Sequence, residues 1–211
     1  YTGTGSAGAT VGHGLGAAPG LILIKNISAN STNWGVYHKS LGGTKALFLD
    51  LSAQADTNIK YFNDTDPTSS VFTLGNYNDE NSNGENHIAY CFAEKPGYSK
   101  FGKYTGNGNA DGTFIYTGFK PAWVLGKKTD GTNNWYVFDT VRDSFNLTQR
   151  KLRPDTTAAE NNNSSKAIDI LSNGFKIRNS DAEFNTSGGV YIYAAFGQSL
   201  VGTNNIPCTA R

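Results

Sequence analysis

The chain repeats itself. Tyr1-Thr2-Gly3-Thr4-Gly5 returns as Tyr104-Thr105-Gly106-Asn107-Gly108, and Pro19 with the apolar Leu21-Ile22-Leu23-Ile24-Lys25 returns as Pro121 with Trp123-Val124-Leu125-Gly126-Lys127. Asn33-Trp34-Gly35-Val36-Tyr37 matches Asn134-Trp135-Tyr136-Val137-Phe138. Ser70-Val71-Phe72-Thr73-Leu74-Gly75-Asn76 matches Asn173-Gly174-Phe175-Lys176-Ile177-Arg178-Asn179, and Ile88-Ala89-Tyr90-Cys91-Phe92 matches Ile192-Tyr193-Ala194-Ala195-Phe196. Matched positions lie 101 to 104 residues apart. Five colinear matches with so little drift point to a duplication. A period of this size restricts the fold to two copies of one unit, each long enough to bury its own core. The expected division is a first repeat over 1–97, a second over 98–200 and a C-terminal tail over 201–211.

The composition says what kind of unit repeats. Charged residues make up only 17% of the chain, below the quarter or so usual in soluble domains. Gly, Ser, Thr and Asn take their place, which suits short strands joined by tight turns and suits helices badly. Expected strands in the first repeat are 21–26, 34–39, 46–51, 59–63, 71–75 and 87–93. In the second they are 123–128, 135–140, 166–171, 175–177 and 189–196, with a further strand around Phe101 opening the repeat. Trp135-Tyr136-Val137-Phe138 puts large side chains on both faces and reads as a strand covered on both sides. Only 155–160 resembles a capped helical turn. The expected fold is all-β: a lectin-like jelly-roll β-sandwich built from the two repeats, either as one sandwich or as two.

A net charge of +1 lacks the basic footprint of a nucleic-acid or anionic-membrane binder. No run reaches the roughly eighteen apolar residues of a membrane span. The chain opens at Tyr1 with no signal-peptide pattern, so it is expected to be the excised part of a longer polypeptide. Cys91 sits in an apolar run and reads as a small buried hydrophobe; a pairing with Cys208 is the weaker alternative.

The second repeat resembles a known type. Tyr104-Thr105-Gly106-Asn107-Gly108, Gly118-Phe119-Lys120-Pro121 and Asn134-Trp135-Tyr136-Val137-Phe138-Asp139-Thr140-Val141-Arg142-Asp143 are similar to a repeat of tail-fibre-like virion proteins of tailed bacteriophages, marine and cyanobacterial ones especially. Ser172-Asn173-Gly174-Phe175 and Ser187-Gly188-Gly189-Val190-Tyr191-Ile192 share the likeness. In the first repeat His38-Lys39-Ser40-Leu41 replaces the acidic-Ser/Thr-x-Arg run. The resemblance implies a lectin-like sandwich on the virion surface, in a tail fibre, tail spike or capsid fibre, with no catalytic residue to carry over. It implies a non-enzymatic module that binds a host cell-surface glycan, assembles as a homotrimer and contacts other virion proteins. Nucleic acid and membrane insertion are not expected. The rivals are a purely structural decoration protein and a glycan depolymerase.

Candidate sites are few. Asp79-Glu80-Asn81-Ser82-Asn83-Gly84 matches the first half of an EF-hand-type calcium loop, with Asp79, Asn81 and Asn83 as oxygen ligands. Tyr90 stands where the bidentate Glu belongs, so a solvated turn is the heavier reading and no cofactor is expected. Asn63-Asp64-Thr65-Asp66 would add oxygens if the two loops met. His13, His38 and His87 share no ligand spacing. No paired acid and base stands out, and no Gly-x-Ser-x-Gly elbow is present. Trp34 and Trp135 occupy equivalent positions and read as core. Recognition is expected where the copies differ, at 76–86 in the first and 145–163 in the second. No ligand-binding residue is assigned.

Overall fold

The structure is a computed structural model that describes residues 1–198. The expected tail and Cys208 lie outside the described residues. The chain divides into two compact units, one of residues 1–93 with 129–134, the other of 94–128 with 135 onward.

The first unit runs β1 (Ala9–Gly12), β2 (Pro19–Asn26), β3 (Trp34–His38), β4 (Lys45–Phe48), β5 (Asp56–Thr57), β6 (Val71–Leu74), α1 (Asn78–Asn81) and β7 (His87–Ala93). A five-stranded sheet in the order β5-β4-β3-β2-β7 accompanies the pair β1-β6. Their inner faces share one core: Ile22 and Ile24 from β2, Tyr37 from β3, Phe48 from β4, Phe72 and Leu74 from β6, with Tyr61 and Phe62. Burying such side chains contributes about 1.5–3 kcal/mol each, which is what holds two polar-edged sheets face to face.

The second unit runs β8 (Ser99–Thr105), β9 (Phe114–Tyr116), β10 (Pro121–Lys128), β11 (Tyr136–Asp139), β12 (Arg150–Lys151), β13 (Asn161–Asn162), β14 (Ile168–Leu171), β15 (Gly174–Ile177), α2 (Ala182–Asn185) and β16 (Val190–Gly197). Its sheets are β11-β10-β16-β8, β14-β15-β9 and β12-β13. Val124, Tyr136, Phe138, Tyr191 and Tyr193 from the first pack with Ile168, Ile170, Phe175 and Ile177 from the second, and with Phe184 of α2. All these strand pairings are antiparallel. The all-β, sandwich-like expectation holds, and each unit encloses its own core.

Some elements differ from expectation. Residues 59–63 are a turn, not a strand: Asn63 and Asp64 take positive φ of 52° and 49°, and Tyr61 and Phe62 are buried side by side where a strand would alternate them. The strand in this region is β5, just ahead of it. Residues 155–160 form no helix. Of the two helical turns, α1 falls within the Asn-rich stretch 76–86 where recognition was expected, and α2 between the expected strands 175–177 and 189–196. Trp135 is 1% exposed and is core, whereas Trp34 is only half-buried and stacks on Tyr90 at 6.4 Å.

Candidate functional site

The site grows out of α1, a four-residue helical turn that follows β6. A helix this short has too few internal bonds to stand alone, so its neighbours must hold it. Asn81 is the holding residue. Its carbonyl oxygen accepts from the Thr4 N–H at 2.8 Å, and its amide donates to the carbonyls of Ser6 (3.0 Å) and Gly75 (2.6 Å). The backbone carbonyl of Asn81 accepts from the Gly5 N–H at 2.9 Å. A phenol adds a second tie: Tyr1 Oη donates to the Glu80 carbonyl at 2.5 Å, while its ring stacks on His87 at 5.1 Å.

The second unit uses the same ties around α2. Asn185 accepts from the Asn107 N–H at 2.8 Å and donates to the carbonyls of Asn109 (2.7 Å) and Asn179 (2.9 Å). Its backbone carbonyl accepts from Gly108 at 2.9 Å. Tyr104 Oη donates to the Phe184 carbonyl at 2.8 Å and stacks on Tyr191 at 4.9 Å. Asp50 and Asp155 likewise accept from the Trp34 and Trp135 N–H groups at 3.0 and 3.3 Å. These bonds align Asp79 with Glu183, Glu80 with Phe184, and Tyr77 with Asp181.

What surrounds the aligned carboxylates is different. Glu183 is 4% exposed and meets the Lys151 ammonium at 2.6 Å and Arg153 at 2.8 Å; Lys166 pairs with Asp181 at 2.8 Å. Lys151 also lies 4.7 Å over the Phe184 ring. The neighbouring charges on Asp181 hold its carboxyl below the usual range against the effect of its burial. Lys166 comes from the short turn before β14, Arg153 from just beyond β12, and Lys151 from β12 itself. The matching strand of the first unit, β4, carries Ala46 and Phe48 instead.

In the first unit the corresponding surface is a polar cleft of about 410 Å³, lined by Ser31, Thr32, Lys60, Asn76, Tyr77, Asn78 and Asp79. Thr32 is fixed by Lys25, whose ammonium donates to its carbonyl. Asp79 is only 6% exposed and accepts from the Asn33 amide at 2.9 Å. Tyr77 packs edge-on to Tyr61 at 4.9 Å. Burial raises the Tyr77 phenol above its ordinary value, and the acids Asp79, Glu80 and Asp56 push it further. The wall is thus amides, hydroxyls, one carboxylate, one ammonium and one half-buried phenol.

The expected calcium ligands are not gathered here. Asp79 and Asn81 are two apart on a helical turn, and residues so spaced do not face each other. Asn81 spends its side chain on three backbone groups, while Asn83 is exposed. In the second acidic loop, Asp66 accepts from Tyr37 at 3.1 Å and the Gly43 N–H at 2.7 Å. Among the described residues no group of three or more His, Cys, Asp or Glu could hold a metal. Cys91 is half-buried, and burial pushes its thiol up to about 11.

A match to an established family runs over residues 1–199, across both units. The chain belongs to DUF7483, a domain of unknown function. No curated protein and no solved structure matches it. The DUF7483 match takes in the α1 cleft of one unit and the ion-paired α2 surface of the other, so both belong to the family's span.

The cleft residues 76–79 fall within the segment where recognition was expected. Ser31, Thr32 and Lys60 were missed, because they come from separate loops that only the fold assembles. Glu80 was missed too, although its alignment with Phe184 was available as a polar-for-aromatic difference between the two units.

Proposed function

We propose that this DUF7483 chain is a non-catalytic module that binds a host-surface glycan through the α1 cleft. The observation that supports the reading is the composition of the cleft wall. Sugars present rings of hydroxyls with apolar faces, and they are held by amides, hydroxyls and charged groups beside an aromatic side chain. Asn76, Asn78, Asp79, Ser31, Thr32 and Lys60 around Tyr77 provide that set. The resemblance of the repeats to tail-fibre-like virion proteins supports placing the module on a virion surface, in a fibre, spike or capsid appendage. A homotrimer would multiply a weak site into useful avidity, because a second contact on the same particle is effectively intramolecular.

Catalysis is the less favoured reading. The two carboxyls nearest the cleft are unsuited to acid–base work: Asp79 is held by Asn33, and Glu80 is fully buried and reaches no solvent. A general acid must touch the bond it protonates.

The test is a glycan array probed with the full chain. Reproducible binding to a restricted set of glycans is expected. A blank array would favour a decoration protein, and reducing sugar released from host polysaccharide would overturn the non-catalytic reading.

A further inference from the structure

The strongest unexplained group in the molecule is the side chain of Glu80. It is 0% exposed, and neither carboxyl oxygen has a hydrogen-bond partner on any other described residue. It lies against Gly35 of β3, where an added Cβ would overlap the carboxyl. Its counterpart Phe184 is equally buried, 4.5 Å from the ring of Tyr136, which aligns with Gly35. Two aromatic rings in one unit are thus answered by a glycine and a carboxyl in the other.

The register shows how the rest of the layer adjusts. Ile24 stands opposite Gly35 across β2 and β3, whereas Gly126 stands opposite Tyr136 across β10 and β11. A Cβ at Gly126 would overlap the Tyr136 ring. Large and small have changed places across the strand pair, so the Glu80 site is built into the packing.

Among the described residues no cation pairs with this carboxyl. Its charged or titratable neighbours are Asp79 on α1, Tyr1 at the chain start, Tyr61 and Tyr77 with Asp56 beyond them, and His87 and Cys91 on β7 beside Tyr1. From β2 come Lys25, directed at Thr32, and Asn26, donating to Glu85 at 2.5 Å. A bare carboxylate in such surroundings is strongly disfavoured, whereas the neutral acid costs no more than a polar group without its bond.

We propose that Glu80 is carried as the neutral acid in the folded first unit and makes that unit, but not the second, lose stability as pH rises through neutrality. Burial first, and the charge of Asp79 second, hold this carboxyl well above the usual range, against the smaller opposing pull of its own backbone N–H. A folded-state acid held above its unfolded value contributes fully below about pH 4.5, and the contribution is lost as pH climbs to the shifted value. The inference is independent of the glycan reading.

Carbon-13 NMR of the glutamate carboxyls in the full chain, from pH 4 to 9, tests it without any variant. One resonance keeping the neutral-acid position past pH 7 is expected, and its absence from Glu80→Gln assigns it. Amide exchange in β2 and β7 provides the second measurement. The opening constant of wild type relative to Glu80→Gln should rise up to about tenfold per pH unit above pH 4.5, with β10 and β16 unchanged. All glutamates titrating in the ordinary range, or a flat ratio, would overturn the proposal.

Discussion

In the first unit, α1 presents Asp79 to a cleft wall that holds one ammonium, Lys60, and Glu80 to a site where no cation among the described residues pairs with it; in the second, α2 presents Glu183 and Phe184 to Lys151, Arg153 and Lys166. Both turns hang from the same ties: an asparagine bound to three backbone groups and a tyrosine hydroxyl on the preceding carbonyl. The difference teaches that this frame fixes the turn without fixing what the turn does. One unit spends its surface on closing an ion-pair cluster; the other leaves a cleft open.

Breaking the aromatic and ionic side of the comparison should have the largest effect. Phe184→Ala should cost about 3–5 kcal/mol in denaturant unfolding, from lost transfer energy and the cavity left behind. Lys151→Ala strips a buried partner from Glu183, which keeps Arg153 and Lys166 nearby, so about 3 kcal/mol is expected. If either costs less than 1 kcal/mol, the α2 surface is not the closed cluster described.

The frame comes next. Asn81→Ala and Asn185→Ala each orphan one backbone N–H and two carbonyls, so each should cost about 2–4 kcal/mol. Amide exchange should place each loss in its own unit, and unequal losses would break the equivalence of the two frames. The exposed edge should respond least. Lys166→Ala removes a partly exposed pair worth about 0.5–1 kcal/mol. Millimolar calcium should leave the melting temperature where it was, because Asn81 is already committed; a rise of several degrees would restore the calcium loop.

Much of the fold was legible because it rests on pattern. The apolar run 21–24 and its partner 123–125, the paired tryptophans and the closing runs 88–92 and 192–196 mark strands through burial alone. β5, β12 and β13 were not legible, since two-residue strands carry no periodicity. The helical turns were hidden for another reason. Asn-Asp-Glu-Asn at 78–81 looks like loop, and only the contacts of Asn81 with segments far away in sequence make it helical. The cleft was half legible: the Asn-rich stretch marked one wall, while Ser31, Thr32 and Lys60 are ordinary surface residues until the fold gathers them.

The most direct measurement compares wild type with Lys60→Ala/Asn78→Ala on one glycan array, with Val141→Ser as a control on an exposed residue of the second unit. All three substituted side chains are exposed, so stability should change by less than about 0.5 kcal/mol. Wild type and the control should bind the same glycans, and the cleft variant should lose them at least tenfold. Binding that survives in the cleft variant and falls in the control would contradict the account and move recognition to the second unit.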